Sequence, residues 1–437
     1  MTIDPTIREA VLKTISSNKA ELIEFLKGLV RIPSVVGEEG TAQKFIGTKF
    51  TEMTLQVDTW EPDITELRDH PAFFETTSYI THGYKGRPNV SGRLEGAGKG
   101  NSLLLSGHID VVSPEPVARW KHDPWGAEIE QGRLYGRGAA DMKGGIAAMI
   151  YAVHAIQQVG VQLQGDVTLQ TTIEEEDGGI GGVLHSIIRG YTANAAIVPE
   201  PRSGTEIGIG AAGVLYFRIK IPGKTMHAVY AHKGVNAIGK AMRIYDALMA
   251  LNKTRQHTIR APLFEREEGM EGHATTINVG TIRGGDWPST VAGFVELGCR
   301  IAWPPGEEIT EIKAQVEETI EQVNQSDLWL KENPATVEWF GWQTIPHLQD
   351  PHHPIVQLVK NHFEEISGSQ ATICGVPWGL DTRFYVLYAN IPALTCGPRG
   401  GNLHGIDEYV ELDTVVETTK ILALTILDWC SQDKYYR

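Results

Sequence analysis

The sequence predicts a two-domain α/β protein. One domain is built on a central, mostly parallel sheet, and a smaller α+β domain of order β-α-β-β-α is inserted into it. Three observations predict this. Short apolar runs of buried-strand type alternate with helical patterns between residues 102 and 198. From about Gly213 the rhythm changes to strands of alternating polarity separated by two helical stretches. Beyond about Lys331 a strand and two helices resume the first pattern. A chain of 437 residues is long enough for two or three domains. The expected boundaries are residues 1–213, 214–330 and 331–437, the first and last spans forming one domain.

In chain order, Ile7, Val11, Ile15, Leu22, Phe25, Leu26 and Leu29 recur every three or four residues, which predicts a helix over the first 31 residues. Pro33 ends it. An extended, loop-rich stretch follows, with the Lys85-Gly86-Arg87-Pro88 turn inside it. Residues 102–106 read as a buried strand that empties into Gly107-His108-Ile109-Asp110. Residues 144–159 read as a helix, and 167–173 as a strand ending in Glu174-Glu175-Glu176-Asp177. Residues 181–188 read as a helix and 195–198 as a buried strand ending in Pro199-Glu200. Strands alternating with helices imply crossover connections, and in such sheets function collects at the strand ends. The inserted domain reads as a strand at 214–221, a helix at 236–251, strands at 276–282 and 293–301, and a helix at 308–323. The last span reads as a strand at 336–340, a helix at 355–366 and a final helix from Leu412.

Composition excludes several classes. Lys and Arg number 39 against 54 Asp and Glu, a formal net charge of −15. This argues against nonspecific nucleic-acid binding and against docking on anionic lipid, both of which need basic patches. The cysteines Cys299, Cys374, Cys396 and Cys430 form no Cys-x-x-Cys pair and are too sparse for a disulfide scaffold. Reduced thiols and a cytoplasmic location are therefore expected. The N-terminus has an early acid and no apolar core, unlike a secretory leader. No apolar run approaches the roughly 18 residues of a membrane span.

The polar residues at the strand and loop ends are His108, Asp110, Asp141, Glu175, Glu176 and Glu200, and His404 lies in Asn402–Glu408 near the C-terminus. Two imidazoles and several carboxylates suit zinc, cobalt or manganese. They suffice for two ions, with one carboxylate bridging and one left as a base. Each residue also has an ordinary explanation. Asp141 can cap the helix that follows it. The run Glu174–Asp177 can be a solvated acidic turn. His108, Glu200 and His404 can be polar residues at a strand exit or in a loop. Their recurrence in one chain order, beside glycines that let the backbone bend close to an ion, favours the metal reading.

As a set, these segments resemble the M20 metallopeptidase family, which includes acetylornithine deacetylase, succinyl-diaminopimelate desuccinylase, aminoacylase-1 and glutamate carboxypeptidase. The resemblance covers almost the whole chain. Ser106–Val112 looks like the family's His-x-Asp segment, and Gly136–Gly145 like its bridging-aspartate segment. Glu174–Gly178 looks like its Asp-Glu-Glu-x-Gly segment, with Glu174 in place of the usual Asp. Glu200-Pro201 and His404 match the remaining ligand positions. The resemblance implies two zinc ions per chain, with cobalt and manganese as alternatives. His108 and Glu200 would hold one ion, Glu176 and His404 the other, and Asp141 would bridge them. Asp110 would orient the His108 imidazole. Glu175 would be the general base for a water activated between the ions.

The same resemblance makes the first domain catalytic and the inserted one a lid and dimerisation domain, so a homodimer through the lid is expected. Gly223–His227 with Gly234–Ala237 fits the lid motif, in which His227 crosses to the partner's site and stabilises the developing oxyanion. Asn236 and Arg300 would contact substrate, the arginine through a substrate carboxylate. Some segments depart from the pattern. Asp286–Val291 stands where many relatives carry Asn-x-x-Pro, and Leu380 is substituted in Gly379–Arg383. The first of these, together with the run Tyr84–Glu95, suits the longer, deacetylase-like branch. The implied activity is hydrolysis of the amide bond of a small N-acyl amino acid or related N-acyl amine. The alternatives are a dipeptide, or an N-formylated aminopyrimidine. A catalytically dead metal-binding protein is disfavoured by the complete ligand set together with Glu175. No Gly-x-Ser-x-Gly elbow supports a serine hydrolase.

Overall fold

The computed structural model describes residues 4–266 and 269–431. The chain divides into two compact units. The first comprises Met1–Gly210, Gln349–Cys374 and Leu380–Arg437, and the second comprises Ala211–Leu348 and Gly375–Gly379.

The first unit is an α/β structure on a mixed sheet. Its strands run in the spatial order Gln56–Trp60, Asn89–Leu94, Val167–Thr172, Leu103–His108, Ala195–Val198, Ala393–Thr395, Glu206–Ala211. The middle four are parallel to one another, and the flanking pairs are antiparallel. Leu103–His108 and Ala195–Val198 are buried along their whole length, as apolar parallel strands covered on both faces must be. The helix Gly144–Val159 is buried on almost every side, packed against Pro5–Ser17 and Leu412–Cys430. Gly160 ends it in a left-handed conformation, φ 78°.

Three local expectations change. The N-terminal helix is two helices, Pro5–Ser17 and Lys19–Val30. Ser16, Ser17 and Asn18 offer the backbone competing bonds, and Ser16 Oγ donates to the Leu12 carbonyl at 2.9 Å. The stretch read as loop-rich contains the helix Gly40–Glu52, whose Ala42, Ile46 and Phe50 form a buried stripe at four-residue spacing. Residues 180–184 form an irregular coil, because Gly182 takes the non-helical pair φ −85°, ψ −107°, and only His185–Ile188 is helical.

The second unit is a four-stranded antiparallel sheet in the order Thr276–Gly284, Phe294–Trp303, Gly213–Pro222, Thr336–Thr344. Ala237–Thr258 and Ile309–Ser326 cover one face. They bury Ala241, Ile244, Leu248, Ile312, Val316 and Ile320 against Leu215, Phe217, Ile219, Val295, Leu297 and Ile301. The strand Thr336–Thr344 was expected in the first domain but pairs with Gly213–Pro222 here. Its Val337 and Trp339 alternate onto this unit's core, a partner that strand periodicity alone does not name. All four cysteines are buried and none forms a disulfide. No helix among the described residues is long and apolar enough to cross a membrane.

Candidate metal centre

The three neighbouring parallel strands of the first unit end on the same edge. Leu103–His108 lies between Val167–Thr172 and Ala195–Val198, with His108 in register with Thr172. The central strand therefore delivers His108, one neighbour delivers Glu174–Asp177, and the other delivers Glu200. This is the edge where α/β sheets place their sites.

Two further segments complete the cluster. Asp141 lies in the irregular turn Ala139–Lys143 ahead of Gly144–Val159, with the non-helical pair φ −110°, ψ 93°. His404 lies in the loop between the short strands Gly400–Gly401 and Tyr409–Glu411. Tyr409–Glu411 pairs with Arg133–Tyr135, and this pairing brings the His404 loop beside the Asp141 turn.

Asp141 faces both imidazoles. Its Oδ1 is 3.1 Å from His108 Nε2, and its Oδ2 is 3.2 Å from His404 Nε2. Glu200 Oε1 lies 3.7 Å from His108 Nε2, and Glu176 Oε2 lies 3.1 Å from His404 Nε2. Each imidazole thus meets one Asp141 oxygen and one further carboxylate. Glu175 and Glu200 are buried, and Oε1 of each lacks a hydrogen-bond partner. Donor atoms of His108, Asp141 and Glu176 all lie within 4.8 Å of one another. Buried carboxylates with unpartnered oxygens are costly unless a cation offsets them. The residues present therefore fit a pair of divalent cations on nitrogen and oxygen donors.

The electrostatics follow from this crowding. Burial alone would depress the His108 imidazole, but the Glu200 and Asp141 carboxylates override it and hold its pKa well above the ordinary value. Hydrogen bonding to Asp141 and Glu176 pushes His404 up to about 11. Burial pushes Glu175 well above the usual carboxylate range, and Asp381, Glu200 and Glu176 add to it. Burial likewise raises Glu200 to about 7. Burial opposes the ionised form of Asp141 too, but its bonds to His108 and His404 keep it below its ordinary value.

Asp110 sits where expected but acts differently. His108 Nδ1–H donates to the Asp110 backbone carbonyl at 2.9 Å, whereas the Asp110 carboxylate is 3.8 Å from Nδ1. The carbonyl fixes the tautomer and leaves the Nε2 lone pair facing Asp141 and Glu200. The Asp110 carboxylate instead accepts from the backbone N–H groups of Glu175 at 3.2 Å and Glu176 at 3.0 Å. It holds the turn that carries both glutamates.

Glu174, which had no assigned role, points the other way. It is fully buried and accepts from Thr76 Oγ1, Ser78 Oγ, Tyr84 Oη and the Gly181 N–H. With φ 68° it turns the chain so that Glu176 reaches His404. Sequence reasoning also passed over Glu408. This carboxylate is 1% exposed and accepts from Arg137 and from three backbone N–H groups around Asp141. Its position four residues after His404 was the only local signal.

His227, Asn236 and Arg300 all lie in the second unit. His227 is exposed, and its Nδ1 accepts from the Val229 N–H at 3.2 Å, which leaves the proton of a neutral ring on Nε2 as a donor. Asn236 caps Ala237–Thr258, its Oδ1 accepting from the Ile238 N–H at 2.9 Å. Arg300 is centred in Phe294–Trp303, between Asn278 and Tyr216. Burial depresses its pKa, and no carboxylate among the described residues pairs with it.

Residues 104–428 match the peptidase family M20/M25/M40. The chain is 28% identical over 442 residues to the N-formyl-4-amino-5-aminomethyl-2-methylpyrimidine deformylase of Bacillus subtilis, with 97% of each chain covered. It is 30% identical over 447 residues to the protein of the same name from Halalkalibacterium halodurans, covering 97% of this chain and 98% of that one. In fold it is similar to the dipeptidase Dug1p of Saccharomyces cerevisiae, with a TM-score of 0.80 at 16% identity over 98% of this chain and 99% of the other.

Proposed function

Because the chain belongs to peptidase family M20/M25/M40 and is thus a hydrolase of amide bonds, we propose that it is a two-zinc deacylase of small N-acyl amines. The observation that carries this reading is the Asp141 carboxylate, which offers one oxygen to each of two imidazoles, each with its own further carboxylate. His108, Glu200 and Asp141 would hold one cation, and His404, Glu176 and Asp141 the other. Such a pair makes water acidic and polarises the scissile carbonyl.

The chain's own residues do the rest. Glu175, with an unpartnered buried oxygen, takes the proton from the attacking water and returns it to the leaving amine nitrogen. Asp110 keeps Glu175 and Glu176 in register through their backbone N–H groups. His227 offers its Nε2 proton to the developing oxyanion of the partner's site. A homodimer through the second unit suits that role. On its helix Ala237–Thr258, Ile238, Met242 and Tyr245 expose an apolar stripe, 44%, 43% and 40% accessible.

Two substrate readings have separate support. The relatives similar over 97% of the chain carry the name of an N-formyl aminopyrimidine deformylase, which favours an N-formyl group on an amine of an aminomethylpyrimidine. A half-buried Arg300 with no carboxylate partner among the described residues favours an N-acyl amino acid, whose carboxylate it would hold. The test is hydrolysis of N-formyl, N-acetyl and N-succinyl amines, amino acids and dipeptides, with zinc, cobalt and manganese supplied separately to the metal-free protein. Turnover of one acyl class with two metals per chain is expected. No turnover of any member with any metal overturns the reading. Mixing inactive Glu175→Ala with inactive His227→Ala tests the exchange between subunits. Recovered activity supports it, and none argues against it.

A further inference from the structure

We propose that Glu408 is the positioning residue that sets Asp141 against His404 and so pre-forms the metal position served by His404 and Glu176. The inference rests on the two-metal reading above and concerns how the chain builds it. Asp141 and His404 come from segments more than 260 residues apart in sequence. Neither segment is regular. The Asp141 turn has non-helical dihedrals at Asp141 and Met142. In the His404 loop, Asn402, His404 and Asp407 all have positive φ, 57°, 57° and 55°. Residues with a Cβ resist that region, so the loop needs its surroundings to hold it.

Glu408 joins the two. Its Oε1 accepts from the N–H groups of Ala140 at 3.0 Å and Asp141 at 3.1 Å, and its Oε2 accepts from Gly138 N–H at 3.0 Å and Arg137 Nη1 at 2.6 Å. One carboxylate thus takes four donors, three of them the backbone that aims Asp141. The main chain at Glu408 closes the other side, its carbonyl accepting from the Gly136 N–H at 2.9 Å. Arg137 completes the loop by donating Nη2 to the Gly405 carbonyl at 2.9 Å, next to His404. Asp407 ties in the neighbouring chain by accepting from the N–H groups of Lys121 and His122. His108 ends one strand and Glu200 lies two residues past another, so the position they serve shares only Asp141 with this network, whereas the position served by His404 and Glu176 depends on it for both Asp141 and His404. Glu408 should therefore matter more for one metal than for the other.

The experiment measures zinc stoichiometry and affinity on the metal-free wild type, Glu408→Gln, Glu408→Ala and Arg137→Lys, by competition with a chromophoric chelator. Visible spectra after cobalt addition and the thermal midpoint of the metal-free proteins accompany it. In Glu408→Ala the zinc served by His404 and Glu176 is expected to lose about 10- to 100-fold in affinity, the range for groups that orient metal ligands, so that one of the two binding steps weakens. The other zinc should change less than about threefold. Glu408→Gln keeps acceptor oxygen on one side only and should fall between. Arg137→Lys should follow the same direction and serves if Glu408→Ala does not fold. Two zinc ions bound as in the wild type, or both weakened equally, would overturn the role of Glu408. A wild type that binds fewer than two zinc ions would instead overturn the two-metal reading, and this inference with it.

Discussion

At the level of single residues, roles depend on which atom faces the site. His108 is legible in the sequence as a strand-end imidazole, but its orientation comes from a carbonyl, because the chain curls so that the Asp110 main chain meets Nδ1. Glu174, Glu175 and Glu176 read alike, and only the positive φ of Glu174 separates a buried anchor from two site groups. In the proposed mechanism Glu175→Gln removes the proton carrier and keeps the volume. Its kcat should fall by about 10²- to 10⁴-fold with zinc content unchanged. Near-normal kcat would sink the assignment of Glu175 as base. Arg300→Met should raise KM about tenfold or more for substrates with a free carboxylate and leave N-formyl aminomethylpyrimidine unaffected. Equal effects on both would remove carboxylate binding as its role.

At the level of elements, the site exists because three adjacent parallel strands stop on one edge and a helix begins against them. The start of Gly144–Val159 approaches so closely that a Cβ on Gly145 would overlap the Pro199 carbonyl oxygen, one residue before Glu200. Gly145→Ala should therefore displace Glu200 as well as destabilise the fold, lowering both zinc content and thermal midpoint. A variant with full zinc content would show that the strand end yields without moving Glu200. Away from the site, Arg8 Nη1 is 2.6 Å and His362 Nε2 3.0 Å from Asp428 Oδ2, which links Pro5–Ser17, Pro354–Ser367 and Leu412–Cys430. Burial would raise Asp428, but His362 and Arg8 outweigh it and hold its pKa below the usual carboxylate range. That stabilisation is present above the unfolded-state pKa near 4 and is lost as pH falls through the lower folded value. Asp428→Asn should cost about 1 kcal/mol at pH 7, with the difference shrinking below roughly pH 4. Thermal melts of both proteins from pH 7 to pH 3 check this, and a gap that stays constant refutes it.

At the level of the whole molecule, the second unit exposes apolar side chains that the proposed dimer would cover. Besides the stripe on Ala237–Thr258, its edge strand Thr276–Gly284 exposes Ile282, and an open edge is a ready template for pairing. Met242→Glu places a charge in the centre of the stripe. It should convert the proposed dimer to monomer, measured by light scattering after gel filtration, and lower kcat if His227 acts across the interface. A variant that stays dimeric would move the interface elsewhere.

By itself the sequence determined the α/β class, the ligand candidates and the family, because these rest on short-range signals: apolar runs, strand-end polar residues and glycine-flanked segments. It did not determine that Thr336–Thr344 joins the second unit's sheet, since the alternation of a strand is silent about its partner. It could not separate the three glutamates, whose directions depend on the backbone dihedral of one residue. Nor could it find Glu408, whose four donors come from a turn about 270 residues earlier in the chain. Periodicity and motif spacing report what a segment can bury or bind. Which atoms meet across the fold depends on long-range closure, and only the tertiary structure decides that.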